Sequence, residues 1–246
     1  MYGNLKKKYG QNFLIDKNLI NKICKLISLQ GLKIIEIGPG DGRLTEKILD
    51  FDPKNLKIIE IDSDLIEPLK YKFNEFENIE IINEDILNYK LNQSVDLIIS
   101  NLPYNISSQI LAKICLMQDL PKNLILMFQK EFALRLLEKK LNSLNTLVNC
   151  FFDISDNINV GKNCFRPIPK IDSSVLLFTK KENALLEENE KKGFIIFKRS
   201  LFSHKRKTLR KLLKNYNFSK ENFDLSKRVE DTSLHDLVEI FREINL

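Results

Sequence analysis

Short apolar runs alternate with segments of helical period from residue 16 to about residue 180, and this alternation constrains the fold more than any other feature. Runs such as 33–37 and 56–61 are rich in isoleucine and leucine, which is typical of buried strands. Strands that alternate with amphipathic helices predict a parallel sheet covered by helices. We therefore predict an α/β fold with a doubly wound, seven-stranded sheet that finishes in an antiparallel hairpin, about 152–160 and 174–180.

An acidic break at 182–190 separates this region from a C-terminal segment of helical period. The chain has 246 residues, which is enough for one large domain and a small companion. We predict a larger α/β domain of residues 1–181 and a small helical domain of residues 182–246.

Composition excludes several classes of protein. The first eleven residues are basic and polar, without the apolar core of a secretory signal, and no apolar run is long enough to span a bilayer. Four widely spaced cysteines and two histidines predict neither a disulfide framework nor a metal site. We expect a soluble, cytoplasmic protein with no membrane partner, and a monomer because no coiled-coil repeat is present.

A glycine-rich turn, Glu36-Ile-Gly-Pro-Gly-Asp-Gly42, follows the first long apolar run. Its Gly-x-Gly-x-Gly spacing and the lack of a Walker lysine do not predict a phosphate cradle. Glu60, at the end of the next strand, is placed to accept hydrogen bonds from ribose hydroxyls, and Asp85, after the third strand, from an adenine amine. This combination predicts S-adenosylmethionine as cofactor. A tight turn that serves only helix packing is the alternative, and spacing leaves open whether Glu60 or Asp62 meets the ribose.

The fourth strand ends in Ser100-Asn-Leu-Pro-Tyr104. The N6 amine of adenine is a poor nucleophile, and the Asn101 side-chain oxygen and the Leu102 carbonyl could both accept hydrogen bonds from it. Tyr104 offers a face on which the base can stack, and Phe165, in a proline-rich loop, is a second candidate. Taken alone, the motif could also be an ordinary turn and Phe165 a buried anchor.

Four motifs in order give the chain a family resemblance: Gly10-Gln-Asn-Phe-Leu14, Glu36-Ile-Gly-Pro-Gly40, Asn101-Leu-Pro-Tyr-Asn-Ile-Ser107 and Phe165-x-Pro-x-Pro-Lys-Ile-Asp-Ser173. With the run at 201–209, the chain resembles the KsgA-type ribosomal RNA adenine N6,N6-dimethyltransferases from about residue 6 to its end. The resemblance implies a Rossmann-like methyltransferase sheet. It also implies transfer of four methyl groups from S-adenosylmethionine to two adjacent adenosines, in a hairpin loop near the 3′ end of small-subunit rRNA within a pre-assembled subunit.

The resemblance further implies roles for individual residues. Asn12 and Leu14 would close over the cofactor, with Gly38 beneath it. Tyr104 and Phe165 would sandwich the target base. The implied cofactor-binding residues are Asn12, Leu14, Gly38, Glu60, Asp85 and Asn101. The implied catalytic residues are Asn101, Leu102, Tyr104 and Phe165.

The net charge of +6 is unevenly distributed along the chain. Residues 1–25 carry +5 and residues 191–214 carry +10, which leaves −9 on the rest. On a predicted helix, four of these cations fall at i, i+3, i+4 and i+7 and form one basic stripe: Lys207, Arg210, Lys211 and Lys214. We predict that RNA phosphates contact Lys205, Arg206, Lys207, Arg210, Lys211 and Lys214. Two departures from the family pattern, a less arginine-rich run at 205–207 and a short N-terminal arm, bear on RNA affinity.

Two other functions remain open. The protein could be a methyltransferase of large-subunit rRNA, of the related type that confers macrolide resistance and shares the fold and an Asn-Pro-Tyr-type motif. It could also act mainly as a non-catalytic checkpoint that binds immature small subunits. The resemblance to the KsgA-type enzymes implies the small ribosomal subunit and its rRNA as partners.

Overall fold

The computed structural model describes residues 12–91 and 94–245. The chain divides into two compact units. Unit 1 comprises Met1–Ala133 and Ile154–Lys180, and unit 2 comprises Leu134–Asp153 and Lys181–Leu246.

The strands are, in chain order, β1 (Phe13–Leu14), β2 (Lys33–Ile37), β3 (Asn55–Glu60), β4 (Ile79–Asn83), β5 (Leu97–Asn101), β6 (Asn123–Gln129), β7 (Phe152–Val160), β8 (Phe165–Arg166) and β9 (Ser173–Lys180). Seven of them form one sheet in the order β4-β3-β2-β5-β6-β9-β7. The pairs from β4 to β6 are parallel, and β9 runs antiparallel to β6. This order confirms the predicted doubly wound, seven-stranded α/β sheet. β1 and β8 form a separate antiparallel pair.

The helices are α1 (Lys17–Cys24), α2 (Arg43–Leu49), α3 (Ser63–Lys72), α4 (Ser107–Cys115), α5 (Lys130–Leu137), α6 (Asn145–Val148), α7 (Lys191–Phe202), α8 (Leu209–Leu212) and α9 (Leu234–Asn245). Asp16 caps α1, because its Oδ1 accepts a hydrogen bond from the Leu19 amide at 2.9 Å. The apolar face of α1 is buried and consists of Leu19, Ile20, Ile23 and Cys24. No helix among the described residues is long and apolar enough to cross a membrane.

The continuous apolar runs are explained by the position of their strands. β2, β5 and β6 lie inside the sheet, and almost every residue in them is buried. The chain first adds β3 and β4 on one side of β2 and then returns to add β5 and β6 on the other side. The direction in which strands are added therefore reverses between β2 and β5. In open α/β sheets, ligands bind in the crevice at the carboxyl ends of strands next to such a reversal.

Unit 2 is helical and contains an aromatic core. The ring of Phe241 on α9 lies 5.4 Å from that of Phe194 and 5.5 Å from that of Phe197, both on α7. The Arg242 guanidinium donates to both carboxylate oxygens of Glu190, at 2.7 and 3.0 Å. This bidentate pair joins α9 to the residue that precedes α7.

The division into units differs from the sequence-predicted domains at residues 134–153. The sequence assigned them to the α/β domain, whereas they form part of unit 2. Hydrogen bonds explain the difference, since the Leu141 amide donates to the Glu230 carbonyl at 3.1 Å and Lys198 Nζ donates to the Ser143 carbonyl at 2.5 Å. These hydrogen bonds join residues that are distant in sequence, so no local sequence pattern predicts them.

Gly42 is the point at which the glycine-rich turn becomes α2. Its φ of +75° lies in the left-handed region, and a Cβ there would lie 2.9 Å from side-chain atoms of both Leu69 and Phe73 on and after α3. Since Gly42→Ala would strain the backbone and displace these two buried side chains, we expect it to lower the free energy of unfolding by about 1–3 kcal/mol. Urea denaturation measures this change.

Gly161→Ala is the matched control for this substitution. Gly161 has an extended backbone with φ −68°, and no atom lies within 4 Å of a Cβ built there. We expect its stability to stay within about 1 kcal/mol of wild type. Equal losses in the two variants would contradict the packing role of Gly42.

Candidate active site

A cleft opens in unit 1 at the carboxyl ends of β2, β3 and β5. It encloses about 910 Å³ of space, a figure that includes its open mouth. Its walls are formed by residues 12–14, 36–41, 43–44, 59–61, 84–86, 101–104 and 106. The cleft therefore lies where the sheet topology favours ligand binding.

Most of the sequence-predicted site residues line this one cleft. They are Asn12, Leu14, Gly38, Glu60, Asp85, Asn101, Leu102 and Tyr104. Phe165 does not line it. The remainder of the N-terminal motif, Gly10 and Gln11, lies outside the described residues. The individual roles of these residues stay predictions, but their proximity is a property of the fold.

Two hydrogen bonds hold the strand ends beneath the cleft together. The buried Ser100 hydroxyl donates to the Ile37 carbonyl at 2.5 Å, and the Gly38 amide donates to the Ile59 carbonyl at 2.9 Å. The first bond joins the end of β5 to the end of β2, and the second joins the turn to β3. As a result, the glycine-rich turn and the Asn-Leu-Pro-Tyr motif have a fixed separation.

The second glycine of the turn contacts the N-terminal arm. Gly40 has φ +59°, and a Cβ there would lie 2.7 Å from a ring carbon of Phe13. The arm continues into β1, where Phe13 and Leu14 pair with Arg166 and Phe165 of β8. The lack of a side chain at Gly40 therefore allows the aromatic ring to rest directly on the turn. Sequence reasoning gave Phe13 no role.

Glu60 and Asp62 have different surroundings in the structure. Asp62 caps α3, since its Oδ1 accepts from the Asp64 amide at 3.3 Å. Glu60 lines the cleft, and its two carboxylate oxygens accept from the Asp62 amide at 2.8 Å and the Gly40 amide at 3.3 Å. Burial raises the pKa of Glu60, while these two amides act in the opposite direction. A carboxylate has about four lone-pair positions, so acceptor capacity remains for a ligand.

Asp85 and two isoleucines form another part of the wall. The Asp85 Oδ1 accepts from the Leu87 amide at 2.8 Å, which orients this half-buried carboxylate. Ile61 and Ile86 directly follow the two acids in sequence and also line the cleft. Ile61 is 42% exposed, an unusual value for a large apolar side chain at the end of a buried strand. Apolar residues adjacent to the two acids were the signal that sequence reasoning did not use.

The charge of the wall favours a cationic or neutral ligand over a polyphosphate. Among the described residues of the wall, the single guanidinium, that of Arg43, is paired at 2.9 Å with Asp41. Besides the deeply buried Glu36, the carboxyl groups in the wall are those of Asp41, Glu60, Glu84 and Asp85. Negative groups with one paired cation would repel phosphates. Among the described residues, no cluster of three or more His, Cys, Asp or Glu side chains is arranged to hold a metal ion.

Glu36 is the most deeply buried of these acids. Its carboxylate accepts a hydrogen bond from the Thr45 hydroxyl at 2.6 Å. Burial raises the pKa of Glu36 to about 8, although the bond from Thr45 acts in the opposite direction. At neutral pH this carboxyl group is therefore mostly protonated.

Asn101 holds a buried acceptor without a partner. Its Nδ2 donates to the backbone carbonyl of Asn12 at 2.9 Å, and since a carbonyl can only accept, this bond fixes the orientation of the amide. The other amide atom, Oδ1, is buried, and no group in the described part of the chain hydrogen-bonds to it. Buried polar atoms are usually satisfied, so an unsatisfied one in a cleft indicates a place where a ligand donates.

The loop that carries Tyr104 is fixed at two points. The Ser107 hydroxyl at the start of α4 donates to the Pro103 carbonyl at 3.0 Å. The Tyr104 hydroxyl lies 2.7 Å from the Ser173 hydroxyl. Burial raises the pKa of Tyr104, so the phenol is neutral at physiological pH. Tyr104 lines the cleft beside Asn101 and Leu102.

Phe165 does not provide the second stacking face in this structure. Its side chain is 0% exposed and belongs to a hydrophobic cluster with Leu14, Ile20 and Val160. The antiparallel pairing of β8 with β1 places it opposite Leu14 and directs it into that cluster. In this conformation Phe165 is the buried anchor that the alternative interpretation described.

Comparison with known proteins places these features in a family. A sequence model of the family described as ribosomal RNA adenine dimethylase matches residues 3–245. The chain belongs to this family. The match includes residues of both units.

Curated relatives and solved structures agree with the assignment. Proteins named ribosomal RNA small subunit methyltransferase A are 40% identical in Mycoplasma capricolum, over 97% of each chain, and 38% identical in Flavobacterium johnsoniae, over 97% of this chain and 95% of the relative. The crystal structure of a dimethyladenosine transferase from Plasmodium falciparum has a TM-score of 0.84 at 27% identity, covering 95% of this chain and 97% of the other. The 23S rRNA methyltransferase ErmE has a TM-score of 0.75 at 23% identity, covering 96% and 100%, which supports the Rossmann-like methyltransferase fold.

The basic segment of the dimethylase differs from the predicted helix. α8 contains only Leu209–Leu212, so Lys207 precedes it and Lys214 follows it, and the prediction of one continuous helical stripe is wrong. The segment is fixed instead through its backbone, which bridges from Thr208 to Arg228. All six predicted RNA-binding cations are nevertheless exposed: Lys205, Arg206, Lys207, Arg210, Lys211 and Lys214.

The protonated state of Glu36 predicts a pH dependence of stability. Between its ordinary pKa near 4.5 and about 8, the folded dimethylase retains a proton that the unfolded chain releases, so stability falls as pH rises through this window. Glu36→Gln keeps an acceptor for the Thr45 hydroxyl and removes the titration. We expect wild type to lose about 2–4 kcal/mol relative to Glu36→Gln between pH 5 and pH 9.

Urea unfolding of the ligand-free protein at pH 5, 7 and 9 measures this difference. Glu75→Gln, at an exposed glutamate, is the control, and we expect its pH profile to follow that of wild type. Parallel profiles for wild type and Glu36→Gln would contradict the assigned protonation state.

Proposed function

We propose that this protein dimethylates the N6 amines of two adjacent adenosines, in the hairpin loop near the 3′ end of small-subunit rRNA, using S-adenosylmethionine. The family assignment supports rRNA adenine dimethylation. The names of the curated relatives, which share 38–40% identity over nearly the whole chain, support the small subunit as the source of the RNA. The observation that carries the chemistry is the unpartnered Asn101 Oδ1 in the cleft.

The charge and the lining residues of the cleft support S-adenosylmethionine as the cofactor. Two methyltransferases of similar fold have crystal structures that contain S-adenosylhomocysteine in one case and S-adenosylmethionine in the other. Glu60, already oriented by two backbone amides, would accept from the ribose, and Asp85 would accept from the cofactor adenine. Ile61 and Ile86 would flank that adenine with apolar surface. The excess of carboxyl groups suits a ligand that carries a sulfonium and no phosphate.

Asn101 and Leu102 would prepare the target amine. When bound, S-adenosylmethionine supplies a methyl group on a positively charged sulfur. Asn101 Oδ1 and the Leu102 carbonyl would each accept a hydrogen bond from the N6 amine, which fixes the direction of its lone pair and favours tetrahedral geometry at nitrogen. The bond from Asn101 Nδ2 to the Asn12 carbonyl keeps Oδ1 directed away from that carbonyl, so the acceptor is oriented before the base arrives.

Tyr104 would hold the target base by stacking. The base has to leave its own stack to reach a cleft of this kind, and an aromatic face replaces part of the lost stacking energy. The ring lines the same wall as Asn101, so one side of the base can contact the ring while its amine faces the acceptors.

The exposed cations of unit 2 would contact RNA phosphates. In the described part of the chain, none of the six forms an ion pair, which leaves each available to a phosphate. Phosphate binding of this type does not depend on the methylation chemistry. RNA binding by these cations would therefore persist without catalysis, and we propose that it also serves a late role in small-subunit assembly.

Transfer of labelled methyl groups tests the proposed function. Purified protein and labelled S-adenosylmethionine are incubated with unmethylated small subunits, large subunits or protein-free rRNA. We expect label in N6,N6-dimethyladenosine of small-subunit RNA only. Label confined to large-subunit RNA would contradict the proposal in favour of the macrolide-resistance type of enzyme. Binding to small subunits with no transfer to any RNA would favour the checkpoint role alone.

Asn101→Ala separates catalysis from binding in this assay. We expect kcat/KM for the RNA to fall at least about 100-fold, because the oriented acceptor is removed, while small-subunit binding stays near wild type. Asn105→Ala, at an exposed residue of the same loop, is the matched control and should retain activity. Undiminished transfer by Asn101→Ala would refute the role of Oδ1.

Neutralising the basic segment tests its interaction with RNA. We expect replacement of Lys207, Arg210, Lys211 and Lys214 by Gln to weaken small-subunit binding. The slope of log K against log salt concentration should become shallower by up to about 0.9 for each RNA phosphate that a cation no longer neutralises. Cofactor affinity, measured by calorimetry, should not change.

A charge-matched control removes four exposed lysines elsewhere: Lys33, Lys54, Lys90 and Lys180. We expect this variant to bind small subunits with nearly the wild-type salt slope. Equal effects of the two sets would show a general dependence on net charge and would contradict a defined phosphate-binding segment.

A further inference from the structure

The hydroxyl of Tyr104 meets a second motif of the sequence. The Tyr104 and Ser173 oxygens are 2.7 Å apart, within the usual range for a hydroxyl–hydroxyl hydrogen bond. Tyr104 follows β5, whereas Ser173 is the first residue of β9, so the bond joins two segments 69 positions apart. Neither the proposed chemistry nor the family match assigns a role to Ser173.

Ser173 is held firmly in place. Its side chain is 0% exposed, and its backbone lies opposite Gln129 in the β6–β9 ladder. The preceding residue, Asp172, is fixed twice: its carbonyl accepts from the Lys130 amide at 3.0 Å and its carboxylate from the Lys162 amide at 3.0 Å. The hydroxyl of Ser173 is therefore a fixed reference point on the sheet.

Tyr104 needs such a reference because its ring lies on a loop. A tyrosine ring turns about two side-chain torsions, and its hydroxyl is its only polar handle. The Ser107–Pro103 bond fixes the backbone of the loop but not the direction in which the ring extends from it. A bond from the ring tip to an immobile residue fixes that direction, and with it the place where a base can stack on the ring.

We propose that Ser173 is a positioning residue for methyl transfer, which orients the Tyr104 ring towards the target base through the hydroxyl–hydroxyl bond. The inference rests on the proposed function of the cleft. It gives a role to the last residue of the Phe165-x-Pro-x-Pro-Lys-Ile-Asp-Ser173 motif, although the first residue, Phe165, is buried away from the cleft.

Steady-state methylation by Ser173→Ala tests this role. We expect kcat with unmethylated small-subunit RNA to fall about 3- to 10-fold, as for loss of one net hydrogen bond, with unchanged affinity for S-adenosylmethionine by calorimetry. Ser174→Ala is the matched control, because Ser174 is a buried serine at the next position of the same strand. We expect it to retain wild-type kcat.

A double-mutant cycle distinguishes positioning from general destabilisation. Tyr104→Phe keeps the ring and removes the hydroxyl, so it should reproduce the loss seen for Ser173→Ala. Because both substitutions remove the same bond, the double variant should be no slower than either single one. Additive losses, or wild-type kcat in Ser173→Ala, would overturn the inference.

NMR spectroscopy tests the Tyr104–Ser173 hydrogen bond without an activity assay. With labelled tyrosine rings, the NMR signal that disappears in Tyr104→Phe identifies Tyr104. We expect that signal to shift in Ser173→Ala and to stay in place in Ser174→Ala. An unshifted signal overturns the inference even if the wild-type protein transfers no methyl group, whereas failure of wild-type transfer refutes only the proposed function.

Discussion

The bond from Asn101 Nδ2 to the Asn12 carbonyl organises the site. It fixes the orientation of one amide, and in doing so it leaves Oδ1 as a buried acceptor without a partner. Leaving such an atom unsatisfied is unfavourable by about 1–3 kcal/mol, so the fold around it has to supply that stability. The Ser100–Ile37 bond and the buried sheet beneath the cleft hold the strand ends where this arrangement is maintained.

The sequence predicts the sheet and the cleft well because both depend on local patterns. Buried strands read as apolar runs, and polar residues at their carboxyl ends meet at one edge of a parallel sheet. Spacing could not separate the positions of Glu60 and Asp62, and only the hydrogen bonds of the structure show that Asp62 caps a helix whereas Glu60 lies in the cleft. The position of Phe165 depended on pairing between β1 and β8, a long-range contact that no periodicity records.

The basic segment shows another limit of predicting structure from residue spacing. Spacing at i, i+3, i+4 and i+7 is compatible with a helix, but α8 ends after one turn. Its backbone bonds instead to residues 225–228, so a long-range pairing overrides local helical preference. The distribution of charge along the sequence predicted cations that are exposed, whereas the backbone conformation that carries them had to come from the structure. Residues 134–153 illustrate the same point, because polar contacts to later segments place them in unit 2.

The pairing of β1 with β8 has a consequence for how the protein is made. The arm that bears Asn12, Phe13 and Leu14 is synthesised well before the strand that receives it, which lies near the end of unit 1. Contacts of such high sequence separation form late, because a long loop has to close first. The amide of Asn101 therefore acquires its orientation only once most of unit 1 has been synthesised, so a nascent chain has no assembled cleft before the fold that encloses it is nearly complete.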